Sequence, residues 1–532
     1  MRRTSSAMAG SVDNRTKLTV TVILNLILIG FYYAFGGTEA AMGLSVLSAV
    51  AVFFILINSC AFPFTEAAFI SRFTGKNDYK SVLYVRLVSL ILTMSVSVFF
   101  ALILIIASGP LSGLILGFTN AAKDQLLIRL CLVFGALYGV ACAWVSWLRG
   151  FWQGMGEMKI DERSQMISSV SFYIFSFVIM IILVHGFHLN RSFAAIGAAG
   201  GLLLSQALAG GFLTLYDTMK IKKLQKMAKA QMIPAMTKKK VFVELLKFTV
   251  PSGITSLIFG LMIMIPVFMT VSTAMAYRVK AVDAEKILAL YGALIPAVTT
   301  VTLPVAQNCG DINIPKLAET SWNRQKEKTA ARIERITTMY TANALPLSFT
   351  AACLAEQILA FLYGQQLALG SSVFMIYGAA QGFLLGGSWL VTQMMLTMGY
   401  GNSCIAYALI AAAANGVLFW LLPGTLGSAG LFAASVLALA VFCFLCMAKI
   451  SNRRSVSFLT SLVMTIRIVL ACLAVNGIYA LAKYFGLFTL SSDRLFSGLI
   501  LAGVILAGFA VCYFILTISG IRLTDSRKKK KE

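Results

Sequence analysis

The chain has 532 residues, of which 59% are hydrophobic and 12% are charged, and its formal net charge is +24. Soluble domains are about half apolar and about a quarter charged. This composition therefore excludes an ordinary soluble protein and indicates that lipid is the solvent for much of the chain. The positive charge does not indicate nucleic-acid binding, because the basic residues lie between apolar stretches, as they do in the cytoplasmic loops of membrane proteins.

Apolar stretches long enough to cross a bilayer recur along the whole chain, since a membrane-spanning helix needs about 20 apolar residues. We predict an all-α, polytopic membrane protein with about fourteen spans. The first span is expected to be an uncleaved anchor, because many more spans follow it. The predicted spans are 18–36, 41–64, 83–107, 126–147, 166–184, 193–215, 248–276, 286–307, 338–362, 370–397, 403–422, 427–448, 457–482 and 495–519.

The lysines and arginines divide unequally between alternate connections. If the N-terminus is cytoplasmic, 35 of the 44 basic residues fall in cytoplasmic segments and 8 in outer segments, while Arg467 lies within a span. Cytoplasmic loops carry an excess of Lys and Arg. The sequence therefore predicts that both termini are cytoplasmic.

The two halves of the chain share anchor residues at equivalent helix ends. Six spans separate the copies, so both copies point the same way and are related by an axis along the membrane normal. This predicts two six-helix lobes in a parallel pseudo-two-fold repeat, followed by two C-terminal helices. The anchors are Trp147-Leu148 with Met155-Gly156 against Trp389-Leu390 with Met398-Gly399, Pro63 against Pro304, and Gly197-x-Ala199-Gly200 with Ser205 against Gly427-x-Ala429-Gly430 with Ser435.

The predicted organisation follows from these spans and charges. The segment between the lobes is basic, with interleaved Ile, Leu and Met, and is expected either to lie on anionic inner-leaflet lipids or to form a solvated loop. The predicted regions are a cytoplasmic N-terminus (1–17), an N-lobe (18–215), a basic cytoplasmic linker (216–247), a C-lobe (248–448), two further spans (449–519) and a basic cytoplasmic tail (520–532).

Glu66 is the first candidate functional residue. It follows Pro63 near the inner end of the long segment from Ala40 to Ile70. A proline there frees backbone groups and kinks the helix, and a carboxylate at such a break can bind a cation, a proton or a sugar hydroxyl. The alternative is a glutamate just past the membrane edge that Arg72 neutralises.

Two arginines are further candidates. Arg467 lies about ten residues into span thirteen, about 15 Å deep at about 1.5 Å per residue. An ionised residue at that depth faces a cavity, a partner or a phosphate headgroup, or else it snorkels to the interface. Arg129, one turn into span four, either attracts an anionic headgroup on the outer side or pairs with Asp124.

Polar side chains at membrane depth and prolines inside spans complete the candidates. The polar groups either line a cavity or form interhelical hydrogen bonds, and the prolines suit a bundle of bent, gating helices. The polar candidates are Asn25, Asn58, Gln307, Asn308 and Gln381, and the kink candidates are Pro63, Pro251, Pro266, Pro296 and Pro304. No phosphate-binding loop, zinc-protease motif or nucleophile elbow is present, so we expect no enzyme, cofactor, metal site or ATP-driven step.

One motif carries a family resemblance. After span four the sequence runs from Arg149-Gly150 through Gln153-Gly154 to Met158. It resembles the R-G-x-x-Q-G-x-x-x-M signature of the polysaccharide-exporter and stage V sporulation protein B family. That family belongs to the multidrug/oligosaccharidyl-lipid/polysaccharide (MOP) exporter superfamily, which includes the lipid II flippases. Those flippases carry arginines inside spans one, two and eight, and this sequence has none there, so the resemblance points to the broader class.

The resemblance implies a flippase of a bacterial cytoplasmic membrane. Its expected substrate is an undecaprenyl pyrophosphate-linked oligosaccharide or peptidoglycan precursor, moved by alternating access and driven by a coupling cation or the membrane potential. Fourteen spans favour this function. A multidrug/cation antiporter of the same superfamily usually has twelve spans and a buried carboxylate, for which Glu66 is the candidate here. A membrane enzyme acting on lipid-linked sugars generally needs a larger outer loop than this sequence offers.

The predicted orientation can be tested with single cysteines in a background without the native cysteines. Cysteines at Lys76 and Ser451 are expected to react with a membrane-impermeant thiol reagent only from the cytoplasmic side. A cysteine at Gly37 is expected to react only from outside. The opposite pattern would overturn the orientation.

Overall fold

The structure is a computed structural model. It describes residues 35–75, 77–117, 122–231, 236–277, 283–289, 325–363, 365–427, 429–454, 458–486 and 494–518, with scattered positions between 302 and 321. Nearly the whole of the predicted span 18–36 and most of the predicted span 286–307 lie outside these residues. The described residues are almost all helical, and none of them lies in a strand.

Most of the helices are long, and short turns join several of them, such as α2 to α3, α4 to α5 and α10 to α11. Two of them, α2 and α9, are too short to cross a membrane alone. The helices are α1 (Phe35–Asn58), α2 (Phe62–Thr74), α3 (Tyr79–Ile115), α4 (Ala122–Gly154), α5 (Met158–Ile181), α6 (Ala194–Ala230), α7 (Lys238–Ala276), α8 (Lys326–Cys353), α9 (Ala355–Tyr363), α10 (Gln365–Thr397), α11 (Gly401–Leu426), α12 (Ala429–Arg454), α13 (Phe458–Tyr484) and α14 (Arg494–Ile518).

Ten helices in the described part of the chain are long and apolar enough to cross a membrane. The count rises to eleven if α8 and α9, which meet at a bend of 68°, form one span. The prediction of an all-α, polytopic membrane protein is confirmed. The total of fourteen spans stays a prediction, because some predicted spans lie largely outside the described residues.

The chain passes from α1 to α2 through a π-helical turn, Leu56–Ala61. Pro63 is the second residue of α2 and is buried. A proline has no amide hydrogen, and its ring clashes with the carbonyl four residues earlier. Here that carbonyl belongs to Ser59, inside the π-helical turn, so the widened turn lies where the proline would strain a regular α-helix.

A similar conflict inside α7 is resolved by another helix. Pro266 leaves the carbonyl of Met262, four residues earlier, without its helical donor. The hydroxyl of Ser435 on α12 donates to this carbonyl oxygen at 3.3 Å. Pro251 also lies within α7, and the helix continues past both prolines.

The predicted basic linker is mostly helical. Residues 216–230 continue α6, and 238–247 begin α7, so only seven residues separate the two helices. Leu224 of α6 and Val241 of α7 are buried in a hydrophobic core that also includes Phe69, Val85 and Phe151. This core joins the ends of α2, α3, α4, α6 and α7.

Two anchors of the predicted repeat share a backbone conformation. Gly156 follows α4 with φ of 86°, and Gly399 follows α10 with φ of 81°. Each accepts the left-handed conformation that commonly ends a helix and that glycine adopts at no steric cost. The preceding Met155 and Met398 both donate backbone hydrogen bonds to the residue four positions earlier.

The chain divides into two compact units. Unit 1 holds the described residues of 1–297 and 400–438, and unit 2 holds those of 298–399 and 439–532. Within unit 2, Tyr479 of α13 hydrogen bonds Thr350 of α8 at 3.2 Å, and Lys483 pairs with Glu356 at 3.1 Å. The predicted regions, including the two lobes, stay a prediction.

Candidate functional site

Three ionisable side chains from three helices lie together in unit 1, near the junction of α2 and α3. They are Glu66 of α2, Arg86 of α3 and Asp217 of α6, and we call them the charge cluster. Each lies within about two to four turns of the end of its helix that the sequence predicts to be cytoplasmic.

Arg86 holds the centre of the charge cluster. Its Nη2 lies 2.5 Å from Oδ2 of Asp217, and the two side chains are only 15% and 9% exposed. The guanidinium also lies over the rings of Trp147 and Phe151, at 5.2 and 4.7 Å from their centroids. Cation–π contacts with such partly desolvated rings add to the ion pair, so Arg86 is fixed from several sides.

Glu66 is the unpaired member of the charge cluster. Its side chain is 1% exposed, and neither carboxylate oxygen has a hydrogen-bond partner among the described residues. The nearby Ser89 hydroxyl donates to the carbonyl oxygen of Arg86 at 3.1 Å. Glu66 lies beyond the candidate span Phe35–Asn58, and burial raises its pKa well above the usual 4.5, with Ser89 and Arg86 offsetting part of the increase.

Other buried polar atoms near the charge cluster also lack partners in the described part of the chain. Oδ1 of Asp217 and Nε1 of Trp152 are both unpartnered. Trp152 stacks edge-on against Tyr216, which precedes Asp217. Unsatisfied buried polar groups are few in native proteins, and they call for an explanation by function or by an unseen partner.

The glycines of the family motif explain how α2 approaches α4. A Cβ atom at Gly150 would lie 2.7 Å from Cα of Pro63 and 3.0 Å from Oε2 of Glu66. One at Gly154 would lie 2.7 Å from Cβ of Ile70 and 2.9 Å from Cα of Ala67. The four-residue spacing puts both glycines on one face of α4, the small-residue pattern that allows close helix packing in membranes.

The remainder of the motif also has a structural place. The sequence suggested a loop after span four, but residues 149–154 are the last turns of α4, and Met158 begins α5. Nε of Arg149 lies 2.8 Å from Oγ of Ser164 and 3.5 Å from Oδ1 of Asp161, both on α5. Arg149 thereby ties α4 to α5 across the turn, and Gln153 is half-buried.

Other predicted residues of unit 1 lie apart from the charge cluster. Asn58 donates to the carbonyl oxygen of Gly139 at 3.0 Å and accepts from Ser97, so it joins α1 to α4 and α3. Arg72 pairs with Glu244 of α7 at 3.7 Å rather than with Glu66. Arg129 is exposed on α4.

The predicted residues of unit 2 are dispersed. Gln381 is buried on α10, and Gln307 is half-buried. Arg467 is exposed on α13, beside exposed Ile466 and Leu470. The candidates Asn25, Asn308, Pro296 and Pro304 lie outside the described residues.

Sequence reasoning missed Arg86 and Asp217. Arg86 was counted among the cytoplasmic charges, although it lies within the long helix α3. Asp217 was given no role, although it follows the apolar run of α6. A signal existed in each helix, because a charged residue about two to four turns inside a long, largely apolar helix needs a partner.

This arrangement of long, bent helices matches known transporters. A eukaryotic MATE transporter, AtDTX14, has a TM-score of 0.59 at 14% identity, covering 84% of this chain and 95% of that one. An inward-facing multidrug resistance MATE transporter of the MOP superfamily has a TM-score of 0.55 at 14% identity, covering 82% and 99%. The chain therefore has the fold of MOP-superfamily transporters and is a multi-pass membrane protein.

A further match extends over more of the chain. The lipid II flippase MurJ, in an inward closed conformation, has a TM-score of 0.55 at 14% identity, covering 96% of this chain and 100% of that one. No protein-family model matches the chain, and no curated protein sequence matches it.

The glycine contact between α4 and α2 gives a direct test. Gly150→Ala is expected to destabilise the detergent-solubilised protein by about 1–3 kcal/mol, because the added methyl overpacks the contact with Pro63. Gly211→Ala is the matched control: nothing lies within 4 Å of a Cβ there, and alanine favours the helix by up to about 1 kcal/mol. Thermal unfolding measures both, and equal midpoints would contradict the packing role.

Proposed function

We propose that the chain is a flippase that moves an undecaprenyl pyrophosphate-linked oligosaccharide or peptidoglycan precursor across the bacterial cytoplasmic membrane. The observation that carries the proposal is the extent of the structural likeness. The MATE structures cover 82–84% of the chain, whereas the MurJ structure covers 96%. The difference is more than a tenth of the chain, about the length of 458–518, which holds α13 and α14.

The family motif supports this proposal independently of the overall fold. Arg149, Gly150 and Gly154 all make specific contacts between helices. These residues of the R-G-x-x-Q-G pattern lie at helix contacts, which supports a structural role for the motif. We place the sugar precursor in an alternating-access cycle, drawing on an ion gradient or the membrane potential.

We propose that the basic segment lies against anionic lipids of the inner leaflet. On three helices an exposed apolar residue lies within a turn of an exposed basic one: Met166 and Arg163, Met219 and Lys220, Phe242 and Lys240. Basic residues at the edge of an apolar band suit contact with anionic headgroups. The same boundary supports a cytoplasmic position for this end of unit 1.

A multidrug/cation antiporter is the second candidate. The buried, unpartnered carboxylate of Glu66 favours it, because such a group can bind the coupling cation. The structural similarity to a MATE transporter, with a TM-score of 0.59, supports the antiporter as well as the similarity to MurJ supports the flippase.

Depletion of the protein separates the two functions. If the chain is a flippase, depletion is expected to cause a lipid-linked sugar precursor to accumulate on the inner leaflet, detected by mass spectrometry of extracted lipids. Complementation with the wild-type chain should reverse the accumulation. Increased drug sensitivity without any accumulated precursor would favour the antiporter instead.

Arg467 tests the proposed recognition of a phosphate group. Arg467→Ala is expected to slow headgroup translocation in proteoliposomes at least ten-fold, since a charge-assisted hydrogen bond to a charged group is worth about 1.5–3 kcal/mol. Arg467→Lys keeps the charge but not the forked geometry and should have an intermediate rate. A wild-type rate for Arg467→Ala at equal expression would contradict the role.

A further inference from the structure

The charge cluster contains two buried carboxylates but only one guanidinium. Arg86 supplies one positive charge, and Asp217 compensates it at 2.5 Å. Glu66 adds a second carboxylate with no hydrogen-bond donor among the described residues. When Glu66 is ionised, the charge cluster is therefore one positive charge short, and an ionised carboxylate buried without its own partner is strongly disfavoured.

The surroundings of Glu66 decide which cation is suited to that position. Hard metal cations take about six or more oxygen ligands. No group of three or more His, Cys, Asp or Glu side chains in the described part of the chain is arranged to hold a metal ion. The neighbours of Glu66 include the Gly150 face of α4, the Ser89 hydroxyl and the guanidinium of Arg86. A metal cation would be a second positive charge beside Arg86, which is disfavoured. A proton needs no ligand shell.

We propose that Glu66 is a proton-binding site in unit 1, adjacent to the Arg86–Asp217 ion pair. The carboxylate takes a proton from hydronium and releases water, and no other bond changes. When protonated, Glu66 leaves Arg86 to Asp217 alone. When ionised, it competes for the guanidinium, so that Arg86 is shared between α2 and α6.

The other charged groups around α2 are already engaged. On α4, Arg149 binds Ser164 and Asp161 of α5. On α7, Glu244 pairs with Arg72. On α3 and α6, Arg86 and Asp217 pair with one another. Among these charged groups of the described residues, Glu66 is therefore the one whose charge is left for a proton to balance.

The proton-binding site can be measured without any transport assay. Difference infrared spectra of the purified, membrane-reconstituted protein are expected to show the carbonyl stretch of a protonated carboxylic acid above the usual carboxyl titration range, lost as the pH is raised further. Glu66→Gln should remove this band. Glu244→Gln, which alters a paired carboxylate at the same end of unit 1, should leave it unchanged. A band that persists in Glu66→Gln, or one absent from the wild type, would overturn the proposal.

A stability measurement keeps the test independent of that band. Because the folded protein holds the Glu66 proton more tightly than the unfolded chain, this group stabilises the fold at low pH, and the contribution is lost as the pH rises above the usual carboxyl range. The wild-type unfolding midpoint is expected to fall over that range, and the decrease should be smaller in Glu66→Gln. If Glu66→Gln does not fold, Glu66→Asp should still show the carboxylic acid band at a shifted titration midpoint. Identical pH profiles for wild type and Glu66→Gln would contradict the site.

Coupling of this proton to transport rests on the proposed function and has a separate readout. In proteoliposomes the rate of precursor translocation is expected to vary with pH in the wild type and to lose that dependence in Glu66→Gln. If the wild type moves no precursor at any pH while the infrared band behaves as expected, the proposed function fails and the proton site stands. If the band does not depend on Glu66 while precursor is moved, the proton site fails and the proposed function stands.

Discussion

The close contact between α2 and the glycine face of α4 is the constraint on which the charge cluster depends. In a bilayer the surrounding lipid is as apolar as a leucine side chain, so helices associate through close packing and hydrogen bonds rather than through hydrophobic burial. Gly150 and Gly154 remove the side chains that would hold the two backbones apart. The backbone of Pro63 and the carboxylate of Glu66 occupy that space, so the packing that stabilises the helix pair also removes Glu66 from solvent.

Burial of Glu66 then governs the electrostatics of the whole region. Water would solvate a second carboxylate beside Arg86 at little cost, but a packed interior supplies only fixed partners. Asp217 already pairs with the guanidinium of Arg86, and aromatic rings cover that guanidinium. The small residues allow the two helices to lie close together, and this close packing buries a carboxylate whose charge state matters.

The sequence was informative wherever a property is local. The all-α membrane architecture follows from runs of apolar residues, and the break at Pro63 follows from the chemistry of proline. The pairing of Arg86 with Asp217 could not be predicted. The two residues are separated by 131 positions, and the sequence around neither of them indicates its partner. The sequence placed the motif after the predicted fourth span, whereas its two glycines lie within α4 and allow close helix packing. The predicted regions and the orientation of the termini stay predictions.

The π-helical turn before α2 has a geometric consequence for everything after it. A regular α-helix turns about 100° per residue, and a π-helical turn inserts in effect one extra residue into that count. The helical wheel of α1 therefore does not continue into α2, and the two segments differ in phase. Removing one residue between Leu56 and Ala61 would restore a single phase and rotate Glu66 by about 100° away from the face it now presents to α4. A bulge of one residue thus determines which neighbours the carboxylate meets.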